Sequence, residues 1–190
     1  MSRKKRLAVF ASGTGSNFEA IVTACEQGKI PAETVALVCD KPSARVVERA
    51  SRHGVKSFTF DPKSFASKVE METVIADFLD ENGVDLVCLA GYMRIISDTL
   101  LSRYDGKIIN IHPSLLPAFP GARVVEQAME YGVKVFGVTI HYVDRTVDGG
   151  RIIAQRAILY EGNDIDELFG LIHAVEHELY PETIARLLSV

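Results

Sequence analysis

An amide and an imidazole stand two residues apart, at Asn110 and His112, directly after a short run of β-branched apolar residues. Side chains two apart on an extended chain point to the same side, so both groups should face one space. Pro113 keeps His112 out of the helical region, and Pro117 and Pro120 keep the following chain stiff. This pattern predicts a strand end that holds two hydrogen-bond donors accurately. For His112 taken alone, a structural histidine in the interior is the simpler alternative.

A glycine-rich stretch, Ser12–Asn17, joins the first predicted strand to the first predicted helix. Its two glycines allow backbone angles that other residues resist, and its last two residues, Ser16 and Asn17, favour a helix start. The free N–H groups of such a helix end favour an anion. Because Phe18 stands where a dinucleotide fingerprint needs glycine, the loop predicts a cradle for one phosphate. An ordinary tight turn with a helix cap is the alternative.

Three further stretches carry candidate residues. Asp148 precedes two glycines that let the backbone approach a ligand closely, but on local grounds alone a plain hairpin turn with a surface Asp is favoured. Leu89–Ile96 is unusually apolar for a loop, so it either lines a slot for a flat ligand or packs in the core. On the terminal helix, His173 shares a face with Glu176 and has zinc-like spacing to His177, but the H-E-x-x-H order is absent. A solvated helix face is therefore favoured over a metal site.

The elements that must position these residues alternate between strand-like and helix-like segments. Apolar strands are predicted at 7–11, 34–39, 55–60, 85–90 and 107–111, and helices at 17–27, 44–53, 68–82 and 98–104. Beyond them, a helix is predicted at 124–131, two strands at 134–143 and 151–158, and a terminal helix at 164–188. Pro181 predicts a kink or break within that last helix.

This alternation predicts an α/β fold with an open, mostly parallel twisted sheet and helices on both faces. The last two strands are expected to form an antiparallel pair near the C-terminal part. We expect residues 1–190 to form a single domain, with a nucleotide-phosphate-binding half at about 1–105 and a catalytic, ligand-closing half at about 106–190.

Composition restricts the function classes. The net charge of −4 disfavours general nucleic-acid binding. Four basic residues at 3–6 precede the apolar run Leu7–Ala11, which is too short for a signal peptide, and no run is long enough to span a membrane. Cys25, Cys39 and Cys88 lie far apart and predict reduced, buried thiols in a cytoplasmic protein.

Four stretches together resemble the glycinamide ribonucleotide transformylase family, the phosphoribosylglycinamide formyltransferases of purine synthesis. They are S-G-T-G-S-N at Ser12–Asn17, L-A-G-Y-M-R-I-I at Leu89–Ile96, N-I-H-P-S-L-L-P-A-F-P-G at Asn110–Gly121 and H-Y-V-x-x-x-V-D-G-G at His141–Gly150. The resemblance extends from about residue 7 to residue 188, and all four motifs in this order are specific. It implies a Rossmann-like formyltransferase fold and formyl transfer from 10-formyltetrahydrofolate to glycinamide ribonucleotide.

The resemblance also implies a role for individual residues. The catalytic trio would be Asn110, His112 and Asp148. The ribonucleotide would be held by Gly15, Ser16, Asn17, His173 and Glu176. The folate would be held by Lys68, Met93, Arg94, Ile95, Ile96, Asn110, Val143 and Val147. The family often has Arg at position 68 and Gln or Lys at position 173, so here carboxylate binding loses a bidentate partner and phosphate binding becomes pH-dependent.

The implied mechanism needs no metal and no covalent nucleophile. The substrate amine attacks the formyl carbon, and a preorganised amide donor at the formyl oxygen contributes about 3 kcal/mol. Asn110 and a protonated His112 would be the donors, with the Asp148 carboxylate stabilising the imidazolium. His112, Asp148 and an ordered water would relay the proton from the amine to the folate nitrogen.

The sequence is compatible with three alternatives. Methionyl-tRNA formyltransferases share the N-x-H-P-S and D-x-G patterns but would carry a further basic domain. Formyltetrahydrofolate deformylase would carry a regulatory domain ahead of the first strand, and we expect none here. A non-catalytic nucleotide-binding module would not need the complete trio. We expect small-molecule substrates, no nucleic-acid partner and no membrane; monomer and homodimer are both compatible with the sequence.

Overall fold

This computed structural model describes residues 3–189, which form a single β-sheet covered by helices on both faces. The strands are β1 (Lys5–Phe10), β2 (Ala32–Cys39), β3 (Lys56–Thr59), β4 (Leu86–Leu89), β5 (Ile108–His112), β6 (Val135–Tyr142) and β7 (Ile152–Leu159). The helices are α1 (Ser16–Glu26), α2 (Arg45–Arg52), α3 (Lys68–Glu81), α4 (Asp98–Arg103), α5 (Val124–Tyr131) and α6 (Ile165–Leu188), with a short 3-10 turn at Pro62–Ser64.

The strands form one sheet in the order β3-β2-β1-β4-β5-β6-β7. The first five are mutually parallel, whereas β6 runs antiparallel to β5 and β7 runs antiparallel to β6. The predicted α/β class, including its antiparallel strands near the C-terminal part, is confirmed. Helices α1, α2, α5 and α6 pack on one face of the sheet, and α3 and α4 pack on the other.

Burial on both faces explains why the central strands consist almost entirely of apolar residues. The carboxyl ends of β1, β4 and β5 lie side by side, because these strands are parallel neighbours. The glycine-rich loop, the apolar loop and the Asn110–His112 pair therefore meet at one edge of the sheet. Ligands of open α/β sheets bind at such an edge.

Of the kink or break predicted at Pro181, the break is wrong, because α6 continues from Ile165 to Leu188 with the proline inside it, and the kink stays a prediction. Proline removes one hydrogen bond from a helix interior. The residues around it compensate by packing: Tyr180, Thr183 and Ile184 are all buried against the sheet. Tertiary burial therefore outweighs the local preference.

None of the helices within residues 3–189 has the length and apolarity that crossing a bilayer requires. The cysteines Cys25, Cys39 and Cys88 are all buried free thiols, as predicted.

Tyr180 fixes α6 to the middle of the sheet. Its side chain is fully buried, and its hydroxyl donates to the carbonyl oxygens of Leu89 at 2.9 Å and Ile109 at 3.2 Å. These carbonyls belong to β4 and β5, whose ends carry candidate site residues. The hydroxyl therefore ties the terminal helix to the two strands that position the site.

We expect the substitution Tyr180→Phe to lower the free energy of unfolding by about 1–2 kcal/mol, because strand carbonyls lose a buried donor. Urea unfolding followed by circular dichroism measures this change. Tyr131→Phe is the matched control, since Tyr131 is 81% exposed and should leave stability unchanged. Equal stability of the Tyr180→Phe variant and the unmodified protein would contradict the anchoring role.

Candidate active site

A cavity of about 680 Å³ opens at the carboxyl ends of the central strands. Its lining comprises residues 13–17, 89–96, 110–113, 121–126 and 143–148, with His141, Phe169, His173 and Glu176. Every predicted site residue except Lys68 is among them. Lys68 is the first residue of α3, where its Nζ lies 3.9 Å from a carboxylate oxygen of Glu72. The structure thus brings all but one of the candidate residues into a single cavity.

The loop after β1 turns into α1 through Gly15, whose φ of 75° lies in the left-handed region. A Cβ at Gly15 would clash with Val46 of α2, so only glycine fits there. Helix α2 also donates two hydrogen bonds to this loop. The N–H of Val46 donates to the Gly13 carbonyl at 3.2 Å, and Arg49 Nε donates to the Thr14 carbonyl at 2.9 Å. A firmly held helix N-terminus therefore presents free N–H groups to the cavity.

Asn17 joins the first helix to the last across this cavity. Its Nδ2 donates to Glu176 Oε2 at 2.9 Å, and both side chains are buried. Asn17 Oδ1 is also buried and makes no hydrogen bond within residues 3–189. Burial raises the pKa of the Glu176 carboxyl, and the hydrogen bond from Asn17 partly opposes that shift. A carboxylate held in this way can accept hydroxyl groups of a bound sugar.

His112 is held by the turn that follows β5. Its ring is 4% exposed, and Nε2 donates to the carbonyl oxygen of Phe119 at 2.9 Å. Ser114 supports the same turn, since its hydroxyl donates to the Ala118 carbonyl at 2.7 Å. Because a carbonyl only accepts, His112 Nε2 carries a proton, and Nδ1 is left to face the cavity.

Asp148 approaches His112 from the loop between β6 and β7. Its Oδ2 lies 3.6 Å from His112 Nδ1, beyond a hydrogen bond but within ion-pairing range. The same oxygen accepts the N–H of Gly121 at 2.8 Å. Asp148 has a left-handed φ of 53°, and at Gly150 a Cβ would clash with the carbonyl oxygen of Tyr142. A strained backbone that delivers a carboxylate to an imidazole marks a functional candidate.

Sequence reasoning gives no role to His141, which pairs with Asn110 across the β5–β6 ladder. His141 Nδ1 donates to the Tyr142 carbonyl at 2.8 Å, so Nε2 is the acceptor of a neutral ring. Burial lowers the pKa of His141, which keeps that ring neutral. Asn110 Nδ2 lies 3.2 Å from this Nε2 and donates to it. His141 therefore fixes the direction of the Asn110 amide. The two residues meet through the register of β5 and β6, which could not be predicted from the sequence.

Exposed apolar side chains line another part of the cavity. Met93 is 71% exposed, Ile95 65% and Val147 53%, whereas Ile96 is buried in the core beneath them. Val143 packs against the same core. Apolar groups exposed at a cavity are typical of a ligand contact.

His173 lies on the exposed side of α6 at the cavity. Its ring stacks on Phe169 and on His177, with centroid separations of 6.2 Å in each pair. Within residues 3–189, no group of three or more His, Cys, Asp or Glu side chains could hold a metal ion. A phosphate contact by His173 stays a prediction.

Residues 5–184 match the family described as formyl transferase. This match spans nearly the whole chain and includes the loop after β1, the end of β5 and the loop that carries Asp148. The chain therefore belongs to the formyl transferase family.

Known relatives are similar over almost the same span. A phosphoribosylglycinamide formyltransferase of Bacillus subtilis is 53% identical over 187 residues, which cover 98% of this chain and 96% of the relative. The trifunctional purine biosynthetic protein adenosine-3 of Homo sapiens is 36% identical over 98% of this chain, but the match covers only 19% of that protein.

Solved structures agree with the fold. The crystal structure of phosphoribosylglycinamide formyltransferase from Bacillus halodurans is 51% identical, with a TM-score of 0.95 over 97% of this chain and 96% of that one. The glycinamide ribonucleotide transformylase 1 of Geobacillus kaustophilus is 53% identical, with a TM-score of 0.95 over 97% and 99%.

Burial of Glu176 leads to a prediction about stability and pH. Its pKa is raised in the folded protein, so its contribution favours folding at acidic pH and is lost as the pH rises through the raised pKa. Glu176→Gln removes the ionisable group and keeps an acceptor for Asn17. We expect the Tm of the ligand-free variant to exceed that of the unmodified protein at about pH 8, with a difference that shrinks towards about pH 5.

Thermal unfolding across that pH range measures the difference. Exposed Glu130→Gln is the control and should leave Tm unchanged at each pH. A gap that widens on acidification would contradict the stated effect of burial.

The tautomer of His141 is open to direct measurement. Nitrogen-15 NMR of histidine-labelled protein should show a proton on His141 Nδ1 and none on Nε2 at about pH 7. His53 is an internal control, because hydrogen bonds with Glu19 and Glu26 raise its pKa, so on acidification its ring should become doubly protonated before that of His141. A doubly protonated His141 ring at that pH would refute the orientation inferred for Asn110.

Proposed function

We propose that this chain transfers the formyl group of 10-formyltetrahydrofolate to the amine of glycinamide ribonucleotide. The products are formylglycinamide ribonucleotide and tetrahydrofolate, in de novo purine synthesis. The observation that carries this proposal is the convergence of Asn110, His112 and Asp148 in one cavity with an exposed apolar surface and the glycine-rich loop at residues 13–17, which we call the phosphate loop. Full-length similarity to proteins named phosphoribosylglycinamide formyltransferase supports the choice of acceptor.

The ribonucleotide occupies the end of the cavity between α1 and α6. Its phosphate receives N–H groups from the first turn of α1, at Gly15, Ser16 and Asn17, because a helix N-terminus favours an anion. His173 adds positive charge beside the phosphate when its ring is protonated. Glu176 accepts the ribose hydroxyls, an interaction that offsets the cost of its burial.

The folate occupies the apolar part of the cavity. The exposed side chains there would cover its flat ring, while backbone groups of the two flanking loops hydrogen-bond its edge. We assign this role to Met93, Arg94, Ile95, Ile96, Asn110, Val143 and Val147. Lys68 lies outside the cavity lining and is 43% exposed, so we assign it to a folate carboxylate that extends beyond the cavity.

The chemistry requires a bond between the amine nitrogen and the formyl carbon, loss of the bond from that carbon to the folate nitrogen, and movement of one proton between the two nitrogens. Asn110 Nδ2 and a proton on His112 Nδ1 donate to the formyl oxygen as its charge grows. Asp148, 3.6 Å from that Nδ1, stabilises the imidazolium. Asp148 and His112 then carry the proton from the amine towards the folate nitrogen.

We further propose that residues 1–190 act as a single domain, with the phosphate loop in the half at about 1–105 and the trio in the half at about 106–190. Glu176 and His173 come from the second half, so the ribonucleotide contacts both. The substrates are small molecules, and three buried free thiols suit the reducing cytoplasm. Monomer and homodimer remain equally compatible with this function.

Mixing purified protein with glycinamide ribonucleotide and 10-formyltetrahydrofolate tests the proposal. We expect tetrahydrofolate release only when the ribonucleotide is present. Release without it would identify water as the acceptor and replace the proposal with hydrolysis, and no release under either condition would overturn formyl transfer.

Asp148→Asn should lower kcat about 100-fold or more, since the variant loses the charge that stabilises the imidazolium and the base of the proton relay. The exposed Asp105→Asn is the matched control and should keep full activity. Near-normal kcat in the Asp148→Asn variant would remove Asp148 from the trio.

A further inference from the structure

Three loops at the carboxyl ends of neighbouring strands meet at two buried side chains, Ser12 and Asp40, which are 3% and 7% exposed. The Ser12 hydroxyl donates to Asp40 Oδ1 at 2.6 Å and accepts the N–H of Met93 at 3.0 Å. The N–H of Ser12 donates to the Gly91 carbonyl at 3.1 Å. Arg94 Nη1 lies 3.9 Å from the other Asp40 oxygen. We call Ser12 and Asp40 the brace.

The brace stands behind the cavity, because neither of its residues is among those that line it. The segment that it holds does line the cavity, at Met93 and Arg94. Met93 is 71% exposed and Ile95 is 65% exposed, so their side chains add little packing, whereas Tyr92 packs on Phe10 and Ile96 is buried in the core. Between these two packed side chains, the hydrogen bond that Met93 donates to Ser12 holds the exposed part of the backbone.

Asp40 determines which way the Ser12 hydroxyl points. A hydroxyl has one proton, and here the proton goes to a buried carboxylate, which makes a short, strong hydrogen bond. An oxygen lone pair is thereby left for the N–H of Met93. Without an acceptor at position 40, the hydroxyl can rotate and the Met93 N–H loses a fixed partner.

The phosphate loop begins directly after Ser12 but has separate supports. Helix α2 holds it through Val46 N–H to the Gly13 carbonyl and through Arg49 Nε to the Thr14 carbonyl. A change in the brace should therefore disturb the segment after β4 and leave the phosphate loop in place.

We propose that Ser12 and Asp40 are positioning residues that fix the backbone at Met93 and Arg94 for the folate and contact neither substrate. This inference rests on the proposed function, because that function identifies the ligand of the segment as a folate. Loss of the brace should therefore weaken folate binding more than ribonucleotide binding. A purely structural role would weaken both alike.

Titration calorimetry with tetrahydrofolate and, separately, with glycinamide ribonucleotide tests this division. Ser12→Ala should raise the Kd of tetrahydrofolate about tenfold, the effect of one lost hydrogen bond, and change that of the ribonucleotide less than about threefold. In the transfer assay, KM for 10-formyltetrahydrofolate should rise and kcat should stay nearly constant. Asp40→Ala should behave like Ser12→Ala. Asp40→Asn should retain tetrahydrofolate affinity, because an amide oxygen still accepts from Ser12.

Thr34→Val is the matched control, since Thr34 on β2 is 7% exposed and its hydroxyl contacts Cys25 rather than a cavity loop. Both Kd values should be unchanged in it. Equal losses for both ligands in Ser12→Ala, or no loss for either, would overturn the proposal. If Ser12→Ala does not fold, the contrast between Asp40→Ala and Asp40→Asn decides by the same criteria.

Different results contradict the role proposed for Ser12 and Asp40 and the proposed function. Unmodified protein that transfers no formyl group contradicts the function itself. Active unmodified protein, with a Ser12→Ala variant of unchanged affinity for tetrahydrofolate, contradicts the brace alone.

Discussion

His112 is only 4% exposed, so its Nε2–H group needs a hydrogen-bond acceptor from the protein itself. The Phe119 carbonyl supplies that acceptor, and the chain after β5 must fold back over the ring to do so. The same return brings the Gly121 N–H to Asp148, which holds the β6–β7 loop across the cavity. One buried imidazole at the end of a strand thus determines the path of two loops, and those loops position the rest of the candidate site.

Much of the fold follows from local signals. Continuous apolar runs separated by glycines and polar helices predict a parallel sheet with covered faces, and the structure has one. The shared direction of Asn110 and His112 follows from strand periodicity, because two residues always span one full period. The roles of Glu176, His173 and Lys68 did not follow from periodicity; they came from resemblance, and Lys68 lies outside the cavity where the others gather.

The remaining features depend on contacts between distant parts of the chain. His141 meets Asn110 only through the register of an antiparallel ladder, and a shift of one residue would have turned it to the other face. Ser12 meets Asp40 because β1 and β2 are neighbours, which alternation alone does not specify. Pro181 remains within a helix because burial of the surrounding residues outweighs its local effect.

The hydrogen bond from Asn17 to Glu176 joins residues 159 positions apart in the sequence. During synthesis the amino-terminal part of a chain leaves the ribosome first, so the phosphate loop emerges long before the helix that carries Glu176. Until that helix docks, the sheet face that Tyr180 covers is open to chaperones and to aggregation. The nascent protein therefore passes through a stage that exposes apolar surface and lacks the contact between Asn17 and Glu176, and a premature stop before the last helix would leave it in that stage.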